Sequence, residues 1–429
     1  MEQSISETPR WKAWLAGYRR LNRFWIDVWA MAVAAALPWS SSASSVLIAI
    51  WLFAVVTSLD ADSVRRLRIT AAGLLPLLLW LFAAVGMLWA DVAWADRFDG
   101  LRAYHKLALI PFVLVHCARS ERAWMVPVAF LASCGVLLGV SLLFTAWPGL
   151  TWRWSTLPGL PVRDAIAQSG EFVLCAFAAL AVMVEAWRRD LRLAAAGLGT
   201  LAVLLLVDVF FVVTSRTALA TIPVLALVLG LRLLGWKRSL VIVCTIIVFV
   251  AAVWTVSPYV RSRVADAQRE VSLYAAKADT VGAGQTSIGE RIAYWKKSIA
   301  FVREAPAIGH GTGSTPELFR RSTFGRTGLG AFATRNPHNQ TLAVAIELGL
   351  IGVILLWAVW TAHLLLFRGP GLVATLGLLV VVQNIVSSLF NSHLADFSQG
   401  WIYVFGVGAL GGMVLRGMLW RGGTTDAGR

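Results

Sequence analysis

Charge is what this chain has least of. Only 14% of its 429 residues are charged, against 58% hydrophobic, and there are 21 Trp. A soluble protein of this length needs a polar skin, and there is too little charge here to make one. Cysteine is scarce as well. Cys117, Cys134, Cys175 and Cys244 lie in or at the ends of apolar runs with no CxxC spacing, so they read as small buried hydrophobes, neither disulfides nor metal ligands. Neither HxxH nor HExxH occurs, and no metal site or cofactor is predicted. The N-terminal stretch 1-MEQSISETPRWKAWLAGYRRLNRFW-25 has no apolar h-region or small-residue cleavage site, so it does not read as a removable signal peptide.

What fills the chain instead is apolar sequence in runs of roughly 17–25 residues, the length that crosses about 30 Å of hydrocarbon. The runs are continuous rather than alternating, which excludes a barrel. The fold class expected is an all-α polytopic integral membrane protein. About twelve spans are predicted, at 26–39, 43–59, 70–90, 105–118, 124–147, 165–187, 193–214, 217–234, 239–257, 341–366, 371–389 and 400–419. The net charge of +15 could suggest nucleic acid, but much of it flanks apolar segments and no nucleic-acid module is recognisable. Twenty Lys and Arg fall on the side of the N-terminus, against six in the short loops opposite. The positive-inside bias therefore predicts cytoplasmic termini. Residues 258–337 form a long loop with 12 Lys/Arg and 6 Asp/Glu, which translocates regardless of its charge. The expected organisation is a bundle over 1–257, an outer loop domain over 258–337, and the last three spans with a short cytoplasmic tail over 338–429. Within the loop, 290–306 has helical spacing, and the Gly-rich 309-GHGTGSTPELFRR-321 leads into a second short helix.

Chemistry-bearing residues gather on the outer side. Arg216 sits where two spans meet almost without a loop, so it is expected to point into the protein rather than snorkel. Arg291 starts the loop's main helix, with Trp295 one turn on. Arg163 and Asp164 open the sixth span, either as a functional pair or as interfacial anchors. Asn336-Pro337-His338-Asn339 reads as a helix start, with Asn336 as N-cap and Pro337 at the first helical position. His338 then falls in the first turn, where the helix dipole favours the neutral ring. Asp208 and Glu347, inside spans, are candidates for buried ion pairs or site support. Arginine forks hold phosphate oxygens bidentately, and a neutral histidine can deprotonate a hydroxyl. Together they suggest metal-independent transfer of a group from a lipid pyrophosphate.

Three motifs carry a resemblance: Ser215-Arg216-Thr217 at the start of a span, 289-GERIAYWKKSIAFVREAPAIGHGTGS-314 as a G-x-R-x-x-x-W…P-x-x-G-x-G block, and 338-HNQTLAVAIELG-349 as H-x(10)-G. In this order and topology they resemble the O-antigen ligase/O-antigen polymerase superfamily. The motifs cover about 200–349, and the rest of the chain agrees in topology only. One position departs from the pattern: the ligases' R-x(3)-L motif meets Ala220 here, with Leu219 one residue early. The resemblance implies a GT-C-like, inverting, metal-independent glycosyltransferase in the bacterial inner membrane. It would move a glycan from undecaprenyl pyrophosphate to a lipid A–core hydroxyl on the periplasmic face. Carried over, His338 is the base, and Arg216, Arg291 and Arg163 bind the pyrophosphate. Arg261, Arg263, Arg335 and Asn339 complete the basic pocket, and the bundle offers a groove for the polyprenyl tail. Polymerase is the nearest alternative. The expected short C-terminal tail argues against a protein O-oligosaccharyltransferase, and the unlike halves argue against a secondary transporter.

Overall fold

A computed structural model describes residues 10–59, 70–150, 159–162, 164–213, 215–238, 287–323 and 333–422, with the single positions 265, 268 and 272. Among these residues the chain is helical and contains no strand. The helices are α1 (Arg10–Ala36), α2 (Ser41–Ser58), α3 (Ala71–Gly86), α4 (Trp94–Tyr104), α5 (Ile110–Arg119), α6 (Met125–Ala146) and α7 (Ala165–Arg188). They continue as α8 (Arg192–Phe211), α9 (Arg216–Leu233), α10 (Ser287–Glu304), α11 (Thr315–Thr323), α12 (Gln340–Leu366), α13 (Leu372–Ser387) and α14 (Phe397–Gly422). Seven of the described helices are long and apolar enough to cross a membrane, namely α2, α6, α7, α8, α9, α12 and α14, and α3 and α13 are shorter apolar helices. A polytopic helical membrane protein is therefore what the chain forms. Eleven of the twelve expected spans coincide with a helix, although α1 begins sixteen residues before its expected span. The span expected at 239–257 lies outside the described residues, as do Cys244, Arg163, Arg261 and Arg263.

Two departures have simple causes. The segment expected to run helically from 105 opens with a 3₁₀ turn, His105–Leu109, before α5. Ahead of it, α4 occupies what reads as a loop, because its Trp, Arg and Asp residues make no apolar face that periodicity could register.

The packing is that of a protein solvated by lipid. Phe53 is 73% exposed and Leu350 60%, levels of apolar surface that would aggregate in water. The interior holds polar side chains that bond to one another. His363 is fully buried, with Nε2 donating to the Ala72 carbonyl at 2.9 Å and Nδ1 accepting from the Tyr403 hydroxyl at 2.6 Å. Cys117, Cys134 and Cys175 are buried free thiols. Asp208 and Glu347 do not follow the expectation of ion pairs. Asp208 meets the Ser141 hydroxyl at 2.5 Å, and Glu347 accepts from Tyr104 at 3.1 Å and Thr315 at 3.0 Å. At Glu347 the hydroxyl partners reach both carboxyl oxygens without requiring a second charge to be desolvated.

The feature that positions everything on the loop side is a break in α12. At Gly349 the backbone takes φ 61° and ψ −159°, a region open essentially only to glycine. The break leaves the Ile346 and Glu347 carbonyls, and the Leu350 and Ile351 N–H groups, without their i,i+4 partners. Residues 306–311 supply all four. His310 N–H donates to the Ile346 carbonyl at 2.8 Å and Gly311 N–H to that of Glu347 at 2.9 Å. In return, Leu350 N–H donates to the Pro306 carbonyl at 2.8 Å and Ile351 N–H to that of Ala307 at 3.3 Å. The loop is spliced into the helix. Gly309, Gly311 and Gly313 take positive φ to make this turn, and a Cβ on Gly311 would lie 2.5 Å from the Ala90 backbone.

Candidate functional site

The segment before α12 is built differently from the expected helix start. Asn339, not Asn336, is the N-cap: its side chain accepts from Leu342 N–H at 3.0 Å. Asn336 instead forms an Asx turn, its Oδ1 accepting from His338 N–H at 2.8 Å. His338 lies outside the helix at φ 54°, a left-handed conformation uncommon for a residue with a side chain. Both asparagines can cap. The one that does leaves Pro337 in the turn rather than at the first helical position, so the helix dipole is not what keeps this ring neutral.

Burial does that first. The ring is half-buried, and desolvation pushes its pKa below the ordinary histidine value. The Arg291 charge lowers it further, while Asn391 and Glu290 act in the opposite direction. Arg291 is itself depressed, first by burial and then by the nearby Arg216 charge. Arg291 therefore lies within electrostatic reach of both His338 and Arg216. Arg216 is exposed, contrary to the expected inward orientation, because it occupies the first position of α9, where Ser215 caps the helix end. Two guanidinium groups, one of which lowers the other's proton affinity in this way, favour an anion between them.

A network fixes the tautomer of His338. Asn391 Nδ2 donates to Asp396 Oδ2 at 3.1 Å, so its Oδ1 must face the other way. That oxygen accepts from Asn336 Nδ2 at 3.2 Å and from His338 Nδ1–H at 3.0 Å. Asn336 Oδ1 also receives the Ser392 hydroxyl at 2.7 Å, which agrees with this assignment. With Nδ1 carrying the proton, Nε2 holds the lone pair.

The motif residues converge on the same turn. Trp295 Nε1 donates to the Pro337 carbonyl at 3.0 Å, tying α10 to the residue before His338. The Tyr294 ring stacks beside the imidazole, with centroids 6.1 Å apart. Behind it, Tyr294, Phe301, Phe319 and Ile346 form a small apolar cluster that joins α10, α11 and α12.

Of the other expected pocket members, Asn339 is engaged as the helix cap, and its Nδ2 donates to the Leu389 carbonyl at 3.1 Å. Arg335 is exposed, three residues before His338. The loop 388–396 holds what sequence reasoning missed: Asn391, Ser392, His393 and Asp396. Its signal was available as a dense polar stretch between two apolar runs. His393 is buried, bonded through Nδ1 to the Ser387 hydroxyl at 2.7 Å, and its pKa is pushed down to about 4, by burial first and then by Arg291. An apolar cavity of about 360 Å³ lies between α1, α6, α7, α13 and α14. It is lined by Leu372 and Val373 at the far end of α13 from Ser387, so it does not adjoin His338.

Fold and site together define a multi-pass membrane protein in which a histidine and an arginine of the loop side meet where the loop joins the bundle. The comparison with known families points the same way: residues 201–358 match the family model described as O-antigen ligase. The match runs from α8 into α12 and takes in Arg216, Arg291 and His338. A search of curated proteins finds no match.

Proposed function

We propose that this protein is an O-antigen ligase, a metal-independent, inverting glycosyltransferase acting at the periplasmic face of the bacterial inner membrane. The Lys/Arg asymmetry supports cytoplasmic termini, which puts His338 and the 258–337 loop outside. The donor is a glycan on undecaprenyl pyrophosphate, and the acceptor a hydroxyl of the lipid A–core oligosaccharide. Arg216 and Arg291 hold the pyrophosphate. His338 Nε2 takes the acceptor hydroxyl proton, the acceptor oxygen bonds to the anomeric carbon, and the bond from that carbon to the phosphate oxygen breaks. The electron pair leaves with the lipid pyrophosphate, whose growing charge the two guanidinium groups stabilise. Attack opposite the leaving group inverts the anomeric centre.

The observation that carries this reading is the Asn391-fixed tautomer of His338, which leaves the lone pair on Nε2 of a ring within electrostatic reach of Arg291, itself within reach of Arg216. The purified protein, given glycan-linked undecaprenyl pyrophosphate and lipid A–core, should ligate them in EDTA. His338→Ala should abolish transfer without unfolding the protein, and an active, folded alanine variant removes the assigned role. The same assay with lipid-linked repeat units alone tests the polymerase alternative, which the matched family equally accommodates.

A further inference from the structure

Lys106 lies in the 3₁₀ turn between α4 and α5 and is only 3% exposed. An ammonium group has three N–H donors and no acceptor. Each donor finds a consecutive backbone carbonyl of one loop: Leu394 at 3.2 Å, Ala395 at 2.6 Å and Asp396 at 2.7 Å. The Asp396 carboxylate also lies within electrostatic reach of the ammonium. Space for this arrangement depends on Gly400 in the first turn of α14, where a Cβ would lie 2.6 Å from the Leu394 oxygen and 2.9 Å from Nζ. From the opposite side the loop is held by Gln340, whose Oε1 accepts from Leu394 N–H at 3.0 Å and whose own N–H donates to Ser388 at 2.9 Å. The loop is thus clamped between a buried cation and the first turn of α12.

That loop carries Asn391 and Asp396, the two residues that fix which nitrogen of His338 is protonated. We propose that Lys106 is a positioning residue for the transfer reaction: by gripping the Leu394–Asp396 carbonyls it sets the place of Asp396 and Asn391, and through Asn391 the orientation of His338. This rests on the reading of His338 as the base. Lys106 itself stays clear of the substrates. Its reach to the imidazole is indirect, through the three carbonyls, then Asp396 Oδ2 to Asn391 Nδ2, then Asn391 Oδ1 to His338 Nδ1.

The test replaces Lys106 with Met in the full-length protein and follows ligation across pH. The groups facing His338 are Arg291, Glu290 and Tyr294 from α10 and Asn391 from the clamped loop, and only the last should move. A displaced Asn391 should cost kcat about tenfold to a hundredfold, the scale of a misplaced catalytic group, with donor KM unchanged. The acid limb of the profile should also shift to lower pH, because the bond that raises the His338 pKa is lost. Lys106→Arg should recover only part of the rate, since a planar guanidinium cannot aim three donors at one pyramid of carbonyls. Gly400→Ala keeps the lysine and the fold but crowds the ammonium, so it should show a weaker version of the same signature. Combined with Lys106→Met it should add little to the single change. Loss of rate in proportion to folded protein, with an unmoved acid limb in both single variants, would overturn the proposal and leave Lys106 a purely structural cation. His338→Ala, run in parallel, separates the two readings. If it is inactive while Lys106→Met behaves as wild type, only the lysine inference fails; if it is active, the base assignment fails as well.

Discussion

Asn391→Ala isolates the bond that sets the chemistry of His338. The substitution removes Asn391 Oδ1 from His338 Nδ1 and from Asn336 Nδ2, and Asn391 Nδ2 from Asp396. A neutral hydrogen bond contributes about 1 kcal/mol net, so its loss changes the bias between the two imidazole tautomers by about fivefold. If the ring also turns away from the acceptor, the penalty grows to about a hundredfold. The expected fall in kcat lies between those limits, with donor KM unchanged because Arg216 and Arg291 are untouched. The pH profile adds a sign. As the proposed base, His338 would work deprotonated, so activity should fall as pH drops through its pKa. Burial and Arg291 hold that pKa below the ordinary histidine value, and Asn391 partly offsets them. Removing Asn391 should therefore move the acid limb further down, and the variant should keep a larger share of its own plateau rate in acid than wild type does. Ligation by the purified protein in nanodiscs, followed from acid to neutral pH, measures both quantities. An unchanged kcat, or an acid limb displaced upward, would refute the orientation argument.

Two further substitutions probe separate parts of the structure. Gly349→Ala must hold an L-residue at φ 61° and ψ −159° with its Cβ 2.4 Å from the Ala307 backbone. Strain of that kind costs about 1–3 kcal/mol before the clash is counted, and should appear as a lower unfolding temperature together with lost ligation. Arg216→Lys keeps the charge but replaces a bidentate fork with a point donor. Donor KM should rise and kcat fall while thermal stability stays at the wild-type value, as expected of an exposed side chain.

What could be read from the residues, and what could not, divides along physical lines. Apolar runs announced the spans because length against bilayer thickness is a local property. The three motifs single out Arg216, Arg291 and His338 because the residue types suit the proposed chemistry, and Arg291 lies within electrostatic reach of the other two. The helix start at 336–340 departs from the expected one because two asparagines compete for the cap and the Asx turn at Asn336 takes the proline out of the helix. Asn391 and Asp396 went unnoticed since no spacing rule links them to a histidine more than fifty residues earlier; only the tertiary hydrogen bonds do. In the sequence Lys106 is one charge among others in a short loop, and nothing local reveals that three carbonyls nearly 290 residues away surround it.

The splice at Gly349 bears on how this protein is assembled in the cell. Until residues 306–311 arrive, α12 carries two bare carbonyls and two bare N–H groups, each costing several kcal/mol if left facing hydrocarbon. The half-helix beginning at Leu350 cannot settle among lipids as a finished span on its own. Seating of the preceding loop and completion of α12 therefore belong to one step. A nascent chain that inserted the helix without seating the loop would present the insertion and quality-control machinery with an open, hydrogen-bond-deficient segment.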